Sequence, residues 1–181
     1  AIFALAGNRT ILIGADLRKP KLHDDFKIDL SKGLSSYLIN KSSLSESIEP
    51  TGLKNLDVIG SGPTPPNPAE LLDSIKMQEL IKELNKKYDY VIIDTPPIGL
   101  VTDGVILMQH ADVNLYVVRH GYSKSKTLSI INNLYEQNQV GNLQIIINDF
   151  KNTQTGYGYG YGYGYGYGYT TSGYGYYENE S

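Results

Sequence analysis

Five short apolar runs recur along the chain up to Phe150, each about the length of a β-strand. Several are apolar at successive positions instead of alternating apolar with polar residues, which is typical of strands buried on both faces of a parallel sheet. The runs are "TILIGA" (10–15), "LDVIG" (56–60), "YVIID" (90–94), "VNLYVV" (113–118) and "LQIIIN" (143–148). The pattern predicts a sheet of mostly parallel strands inside the fold.

Helical patterns lie between these runs. The clearest covers 67–88, where Asn67 can cap the helix and Pro68 suits its first turn. Further helices are predicted near Thr102–His110 and Lys124–Asn138. The apolar face of the first helix is predicted to comprise Leu71, Leu72, Ile75, Leu80, Ile81 and Leu84. Strands alternating with helices indicate an α/β fold with a doubly wound, mostly parallel sheet and flanking helices, in which ligands bind beyond the carboxyl ends of the strands.

Composition divides the chain into two parts. Residues 151–181 contain no Leu, Ile, Val, Met or Phe, and 156–169 is seven uninterrupted Gly-Tyr repeats. A Gly-rich segment without aliphatic residues cannot offset its ordering entropy by burial. We therefore expect one folded domain at 1–150 and a disordered Gly/Tyr-rich segment at 151–181.

Charge and cysteine content exclude several classes of protein. The formal net charge is −3, so nothing global argues for nucleic acid as a partner. The chain has no Cys, hence no disulfide framework and no thiolate metal site. No apolar run is long enough to predict a membrane span.

An aspartate follows each of two predicted strands, and these are the strongest candidates for chemistry. Asp16 ends the stretch "ILIGAD" and Asp94 ends "YVIID", which Pro96 and Pro97 follow closely. Carboxylates at neighbouring strand ends can together hold Mg²⁺, directly or through water. The alternative is that each aspartate caps the helix or turn that follows it, and for one aspartate alone the two interpretations are about equally good.

A phosphate-binding loop of the form G-x-x-x-x-G-K-[ST] is not found in the sequence. "AIFALAG" (1–7) matches the end of the helix that follows such a loop, and Gly7 suits its carboxyl end. We therefore expect this chain to be a fragment whose phosphate-binding loop lies about a dozen residues upstream.

Taken together, these segments resemble the cytoplasmic catalytic domain of bacterial tyrosine autokinases of capsule and exopolysaccharide synthesis, which are P-loop kinases. "ILIGADLRKP" (11–20) resembles their second Walker-type motif, and "YVIIDTPP" (90–97) resembles their Walker B motif. "GSGPTPPNPAELL" (60–72) and "LVTDGVILMQHAD" (100–112) are also similar to segments of this family. The resemblance covers the whole chain, including a tyrosine-rich carboxyl-terminal segment, and implies a P-loop NTPase-like fold that uses ATP and Mg²⁺.

The resemblance also implies roles for individual residues. Asp94 would hold Mg²⁺ through water, and Asp16 would lie beside the γ-phosphate as a metal-associated group or general base. Arg18 would lie near the transferred phosphate or at a subunit contact. Asn148 would hydrogen-bond the adenine.

In the same family, tyrosines of the carboxyl-terminal segment are the phosphate acceptors, modified largely between neighbouring subunits of a ring-like homo-oligomer. The corresponding residues here are Tyr157, Tyr159, Tyr161, Tyr163, Tyr165, Tyr167, Tyr169, Tyr174, Tyr176 and Tyr177. The implied partners are other copies of the chain, a membrane-spanning polysaccharide chain-length regulator (fused or separate) and a cognate tyrosine phosphatase. The implied location is the cytoplasmic face of the plasma membrane.

The chain departs from the family pattern in two ways. The family motif often reads D-x-D-x-R, whereas Gly14 takes the place of the first aspartate, so Asp16 would have to serve as the base. The phosphate-binding loop is also missing, so we expect the chain alone to be inactive while its parent protein is active.

Two other classes of function remain in competition with the kinase. A partitioning-type P-loop ATPase shares the predicted sheet but has no use for a tyrosine cluster. A structural protein could use the Gly-Tyr repeats for self-association, but would have no use for the two strand-end aspartates.

Overall fold

The computed structural model describes residues 1–97, 103–123, 125–137 and 140–150, and the predicted tyrosine cluster at 151–181 lies outside the described residues. Contacts group Ala1–Phe150 into one compact unit. Among the described residues, no helix is both long and apolar enough to cross a membrane.

In the described residues, six strands form two hydrogen-bonded sheets. The strands are β1 (Thr10–Gly14), β2 (Glu49–Pro50), β3 (Leu56–Ile59), β4 (Tyr90–Asp94), β5 (Asn114–Arg119) and β6 (Leu143–Asn148). The first sheet has the order β2-β3-β1-β4, with β1 parallel to both β3 and β4 and with β2 antiparallel to β3. The second sheet pairs β5 with β6 in parallel. The mixed, mostly parallel sheet and its flanking helices confirm the predicted α/β fold class.

Helices flank and connect these strands. They are α1 (Ile2–Leu5), α2 (Leu22–Phe26), α3 (Leu34–Leu38), α4 (Leu44–Ser47), α5 (Pro68–Leu72), α6 (Ile75–Lys87), α7 (Asp103–Met108) and α8 (Ser125–Glu136). α1 ends as predicted, since Gly7 follows it with φ +94°. α5 packs against α7, which brings the segment after β3 beside the segment after β4.

The main core lies between β1 and the helices around it. Ile11 and Ile13 of β1 are fully buried, as are Leu80 and Leu84 of α6. The prediction that the strands are buried on both faces therefore holds for β1. It is wrong for β6, whose residues are exposed from Gln144 onward.

The single helix predicted at 67–88 is two helices, α5 and α6. Ser74 is extended, with φ −73° and ψ 152°, and its hydroxyl accepts a hydrogen bond from the Met77 N–H. The hydroxyl also donates to the carbonyl of Leu71, so one side chain ends α5 and begins α6. Ile75 consequently lies in the first turn of α6 and is 74% exposed, against the prediction that it belongs to the apolar face.

Two loops interlock through their backbones. One leads into α3 and the other follows β3. The Leu34 N–H donates to the Gly60 carbonyl at 2.7 Å, and the Ser35 N–H donates to the Ser61 carbonyl at 2.9 Å. Gly33 adopts φ +150°, and a Cβ there would lie 2.5 Å from the Gly62 nitrogen. This contact fixes the loop after β3 against the start of α3.

Candidate functional site

The structure places Asp16 and Asp94 at the carboxyl ends of two adjacent parallel strands. Gly14 of β1 is the register partner of Asp94, the last residue of β4. The Ala15 N–H donates to the Asp94 carbonyl at 2.8 Å, so the chain leading to Asp16 is tied to the end of β4. The two carboxylates therefore share one edge of the sheet.

Asp16 organises the turn that follows β1. Its Oδ1 atom accepts hydrogen bonds from the Arg18 N–H at 3.1 Å and the Lys19 N–H at 3.0 Å. The turn-capping alternative for Asp16 is therefore realised in the structure. It leaves the second carboxylate oxygen without a hydrogen bond among the described residues, so capping and metal binding are compatible.

The surroundings of Asp94 disfavour the ionised form of its carboxyl group. Desolvation by the surrounding protein raises the pKa of Asp94, and the carboxylates of Asp16 and Asp25 raise it further. Asp25 lies on α2, and sequence reasoning did not identify it, because only the fold brings α2 to this edge. A group of negative charges that destabilise one another favours the binding of a cation.

The donor set suits Mg²⁺. Hard cations prefer carboxylate oxygens, and Mg²⁺ commonly takes only one or two carboxylates and completes its octahedron with water and phosphate oxygens. Asp16 and Asp94 provide such a pair. In the described part of the chain no three Asp, Glu, His or Cys residues form a complete metal cage, so the remaining ligands would have to be water or phosphate.

Arg18 is held by a residue that sequence reasoning missed. Its Nε donates to Oδ2 of Asp103 at 2.7 Å, and its Nη2 donates to Oδ1 at 3.0 Å. The Asp103 side chain is 0% exposed, whereas the Arg18 side chain is 43% exposed. The hydrogen-bonded carboxylate raises the pKa of Arg18 above its usual value. In the sequence, Asp103 lies within the family-like segment 100–112, and nothing there indicates its partner.

The chain departs from the D-x-D-x-R pattern at Gly14, where the packing is tight. A Cβ at Gly14 would lie 3.3 Å from a methyl group of Leu22 and 3.4 Å from the Ser61 nitrogen. A side chain at position 14 would therefore require Leu22 to shift slightly. On this strand end, Asp16 is the available carboxylate.

Asn148 does not lie on the same sheet as Asp94. It is the last residue of β6, in the second sheet. Its Oδ1 atom accepts the Asp149 N–H at 2.9 Å, and the neighbouring Asp149 carboxylate accepts a hydrogen bond from Arg119 Nε at 2.8 Å. Within the described residues, no hydrogen bond joins Asn148 to Asp16 or Asp94. The amide is at a strand end, where a ligand can reach it, and its role stays a prediction.

The predicted phosphate acceptors, Tyr157 to Tyr177, lie outside the described residues. Their role also stays a prediction.

Comparison with known proteins now adds to this geometry. Residues 2–147 match the family model AAA_31, described as an AAA domain. The chain is 46% identical over 125 residues to tyrosine-protein kinase YwqD of Bacillus subtilis, a match that covers 69% of this chain and 53% of that protein.

Solved structures give the same relationship. The kinase domain of Escherichia coli tyrosine kinase ETK matches with a TM-score of 0.79 at 36% identity, covering 90% of this chain and 64% of the other. The septum site-determining protein MinD of Pyrococcus horikoshii, solved with Mg-ADP, matches with a TM-score of 0.66 at 20% identity, over 84% of this chain and 62% of that one. At that identity the second match shows a common fold alone.

The chain spans between 21% and 53% of the length of the first curated relatives that it matches.

Proposed function

Because this chain belongs to the AAA_31 family of AAA domains, and within it to the bacterial tyrosine-protein kinases, we propose that it is the catalytic part of an ATP-dependent protein-tyrosine autokinase. Residues 1–150 act as the kinase domain and 151–181 provide the tyrosines that it modifies. The observation that carries the proposal is the pair of carboxylates, Asp16 and Asp94, on adjacent strand ends beside the anchored Arg18.

The reaction transfers the γ-phosphoryl group of ATP to a tyrosine oxygen, with ADP leaving and the phenolic proton passing to a base. Asp16 suits the base, since one of its oxygens holds the turn and the other has no hydrogen bond among the described residues. Arg18 suits the stabilisation of charge on the transferred group, because its guanidinium is partly exposed while one edge is fixed.

The P-loop NTPase-like fold binds nucleotides, and we assign ATP and Mg²⁺ as the nucleotide and the metal. When bound, Mg²⁺ neutralises phosphate charge and orients the leaving group. Asp94 would hold the ion through water, and Asp16 would be the second carboxylate near it. Asn148 would hydrogen-bond the adenine from the end of β6.

The tyrosines between Tyr157 and Tyr177 suit an acceptor role. Gly separates most of them and leaves the backbone free to enter an active site. Transfer would occur mainly between copies of the chain in a ring-like homo-oligomer.

The family resemblance also supports a proposal for the wider setting of the protein. We place the protein at the cytoplasmic face of the plasma membrane, with a membrane-spanning polysaccharide chain-length regulator as partner and a tyrosine phosphatase that reverses the modification. Its role is to regulate the polymerisation and export of capsule or exopolysaccharide.

The proposal is tested on the complete gene product, incubated with MgATP and analysed by mass spectrometry for phosphotyrosine. We expect phosphate on the tyrosines of 151–181 in the wild type, and its loss in Asp16→Asn and Asp94→Asn. Asp89→Asn is the matched control, because Asp89 lies just before β4, at the opposite end of that strand from Asp94.

Two results would contradict the proposal. ATP hydrolysis without phosphotyrosine would identify a partitioning-type ATPase. No nucleotide-dependent reaction at all, with the Gly-Tyr repeats causing self-association, would favour a structural protein.

A further inference from the structure

Asp103 is a fully buried carboxylate to which the proposed reaction gives no role. It is the first residue of α7 and its side chain is 0% exposed. A buried carboxylate is costly unless it is paired and hydrogen-bonded. Here both of its oxygens accept hydrogen bonds from Arg18, so the requirement of Asp103 for a partner fixes the direction of the Arg18 side chain.

The same arginine contacts Asp16 through its backbone. The Arg18 N–H donates to Oδ1 of Asp16, and the Lys19 N–H donates to the same atom. A fixed Arg18 side chain restricts the backbone on which these donors lie. The orientation of the Asp16 carboxylate therefore depends on Asp103, although the two aspartates do not share a hydrogen bond.

The ion pair also connects two separate segments of the site. Arg18 lies in the loop after β1, which carries Asp16. Asp103 begins the helix that follows β4, the strand that ends at Asp94. A bidentate arginine–carboxylate pair has defined geometry as well as energy, so it holds these two segments at a set separation.

We propose that Asp103 is a positioning residue, which acts through Arg18 to fix the Asp16 carboxylate relative to Asp94. This inference rests on the proposed kinase activity. The arginine has more N–H donors than the ion pair uses, so it can hold Asp103 and contact a phosphate at the same time. The Arg18–Asp103 pair thus orients the Asp16 carboxylate and also fixes the direction of the Arg18 guanidinium.

The test measures steady-state autophosphorylation of the complete gene product carrying Asp103→Asn, which keeps the side-chain volume and removes the charge. We expect kcat to fall by roughly 10- to 100-fold, as for other displacements of catalytic groups by about an ångström. The Mg²⁺ concentration for half-maximal activity should rise, and the KM for ATP should change little. Asp103→Glu, which keeps the charge on a longer side chain, should give an intermediate kcat.

A matched control exists at the other end of the same two strands. Arg9 and Asp89 form a similar two-bond pair, with Nη2 to Oδ1 at 2.8 Å and Nε to Oδ2 at 3.3 Å. Asp89→Asn should leave kcat and the Mg²⁺ dependence at wild-type values. All rates are expressed per folded protein, measured by circular dichroism below the melting temperature.

The outcomes separate this inference from the proposed function. An active wild type in which Asp103→Asn behaves like Asp89→Asn overturns the inference alone. A wild type that forms no phosphotyrosine overturns the kinase assignment and the inference with it. If Asp103→Asn does not fold, Arg18→Lys replaces it, because lysine neutralises Asp103 but cannot form the two-bond fork. A wild-type kcat and Mg²⁺ dependence in Arg18→Lys likewise overturns the inference.

Discussion

At the scale of single residues, the candidate site depends on charges that the fold brings together. Asp16, Asp25 and Asp94 come from a turn, a helix and a strand end, and the first two raise the pKa of the third. The sequence predicted Asp16 and Asp94, because each follows an apolar run. Asp25 and Asp103 could not be predicted in the same way, since their importance comes from contacts between distant segments.

The first prediction concerns the charge at the site. In metal-free protein, Asp16→Asn should lower the pKa of Asp94, because removing a neighbouring negative charge favours the ionised carboxylate. The value should stay above that of an ordinary aspartate, since desolvation is the larger cause of the shift. NMR titration of the side-chain carboxyl carbons measures it, with Asp89→Asn as the control. An unchanged Asp94 pKa in Asp16→Asn would show that the two carboxylates are not neighbours.

The second prediction concerns the stability that Arg18 provides. Arg18→Ala leaves the buried Asp103 carboxylate unpaired and should lower the free energy of unfolding, because an unpaired buried charge is strongly destabilising. Arg9→Ala, in a pair exposed on both sides, should lower the free energy of unfolding much less. Urea unfolding followed by circular dichroism compares the two. Equal losses would mean that Asp103 finds another partner or becomes solvated.

At the scale of secondary structure, apolar runs predicted the strands better than periodicity predicted the helices. Strand β4 has the predicted bounds, and β1 ends one residue earlier than predicted. The predicted helix at 67–88 was wrong at its centre, because the pattern of apolar residues continues through the break at Ser74. The helix is interrupted by the hydrogen bonds of the Ser74 side chain, and the pattern of apolar residues carries no information about them.

The third prediction follows from that break. Ser74→Ala removes both the cap of α6 and the hydrogen bond to the end of α5, and should lower the free energy of unfolding by about 1 kcal/mol. Thermal unfolding measures the loss. Ser74→Asp, which keeps an acceptor for the Met77 N–H, should recover most of the stability. If Ser74→Ala matched the wild type, the hydroxyl would not be what separates the two helices.

The fourth prediction concerns the two interlocked loops, one at the start of α3 and the other after β3. Gly33→Ala would place a Cβ 2.5 Å from the Gly62 nitrogen and close to the Gly60 carbonyl, both of which are backbone groups. We expect a loss of more than about 3 kcal/mol, because an overpacked contact adds to the strain of the backbone conformation. The control is Gly52→Ala, at φ +80° with open space around it, which should cost about 1–2 kcal/mol from the backbone alone. Unfolding in urea distinguishes them, and equal costs would mean that the loops do not interlock.

At the scale of the whole molecule, the chain joins a unit rich in aliphatic residues to a segment of very different composition. The unit Ala1–Phe150 has a buried aliphatic core, whereas 151–181 contains no aliphatic core residue and ten tyrosines between Tyr157 and Tyr177. Composition alone predicted this division, since it depends only on which residues are present. Composition could not predict the function of the tyrosines, because that function depends on the chemistry proposed for the strand ends.

The fifth prediction is that phosphorylation of 151–181 weakens the proposed ring. Each phosphate adds about −1.5 to −2 charges at neutral pH, so ten of them add roughly −15 to −20 per chain. The unmodified chain carries a formal net charge of only −3. Repulsion between such segments should therefore dominate the electrostatics of assembly at moderate salt, where screening reaches about 8–10 Å.

Sedimentation velocity of the complete gene product measures this directly. Replacing the ten tyrosines with Glu should shift the protein toward smaller species, and raising the salt concentration should restore assembly because it screens the repulsion. Replacing them with Phe removes the acceptors without adding charge and should leave assembly intact. If the Glu variant assembled as well as the Phe variant at low salt, charge on this segment would not control the oligomer, and phosphorylation would have to act through a specific contact.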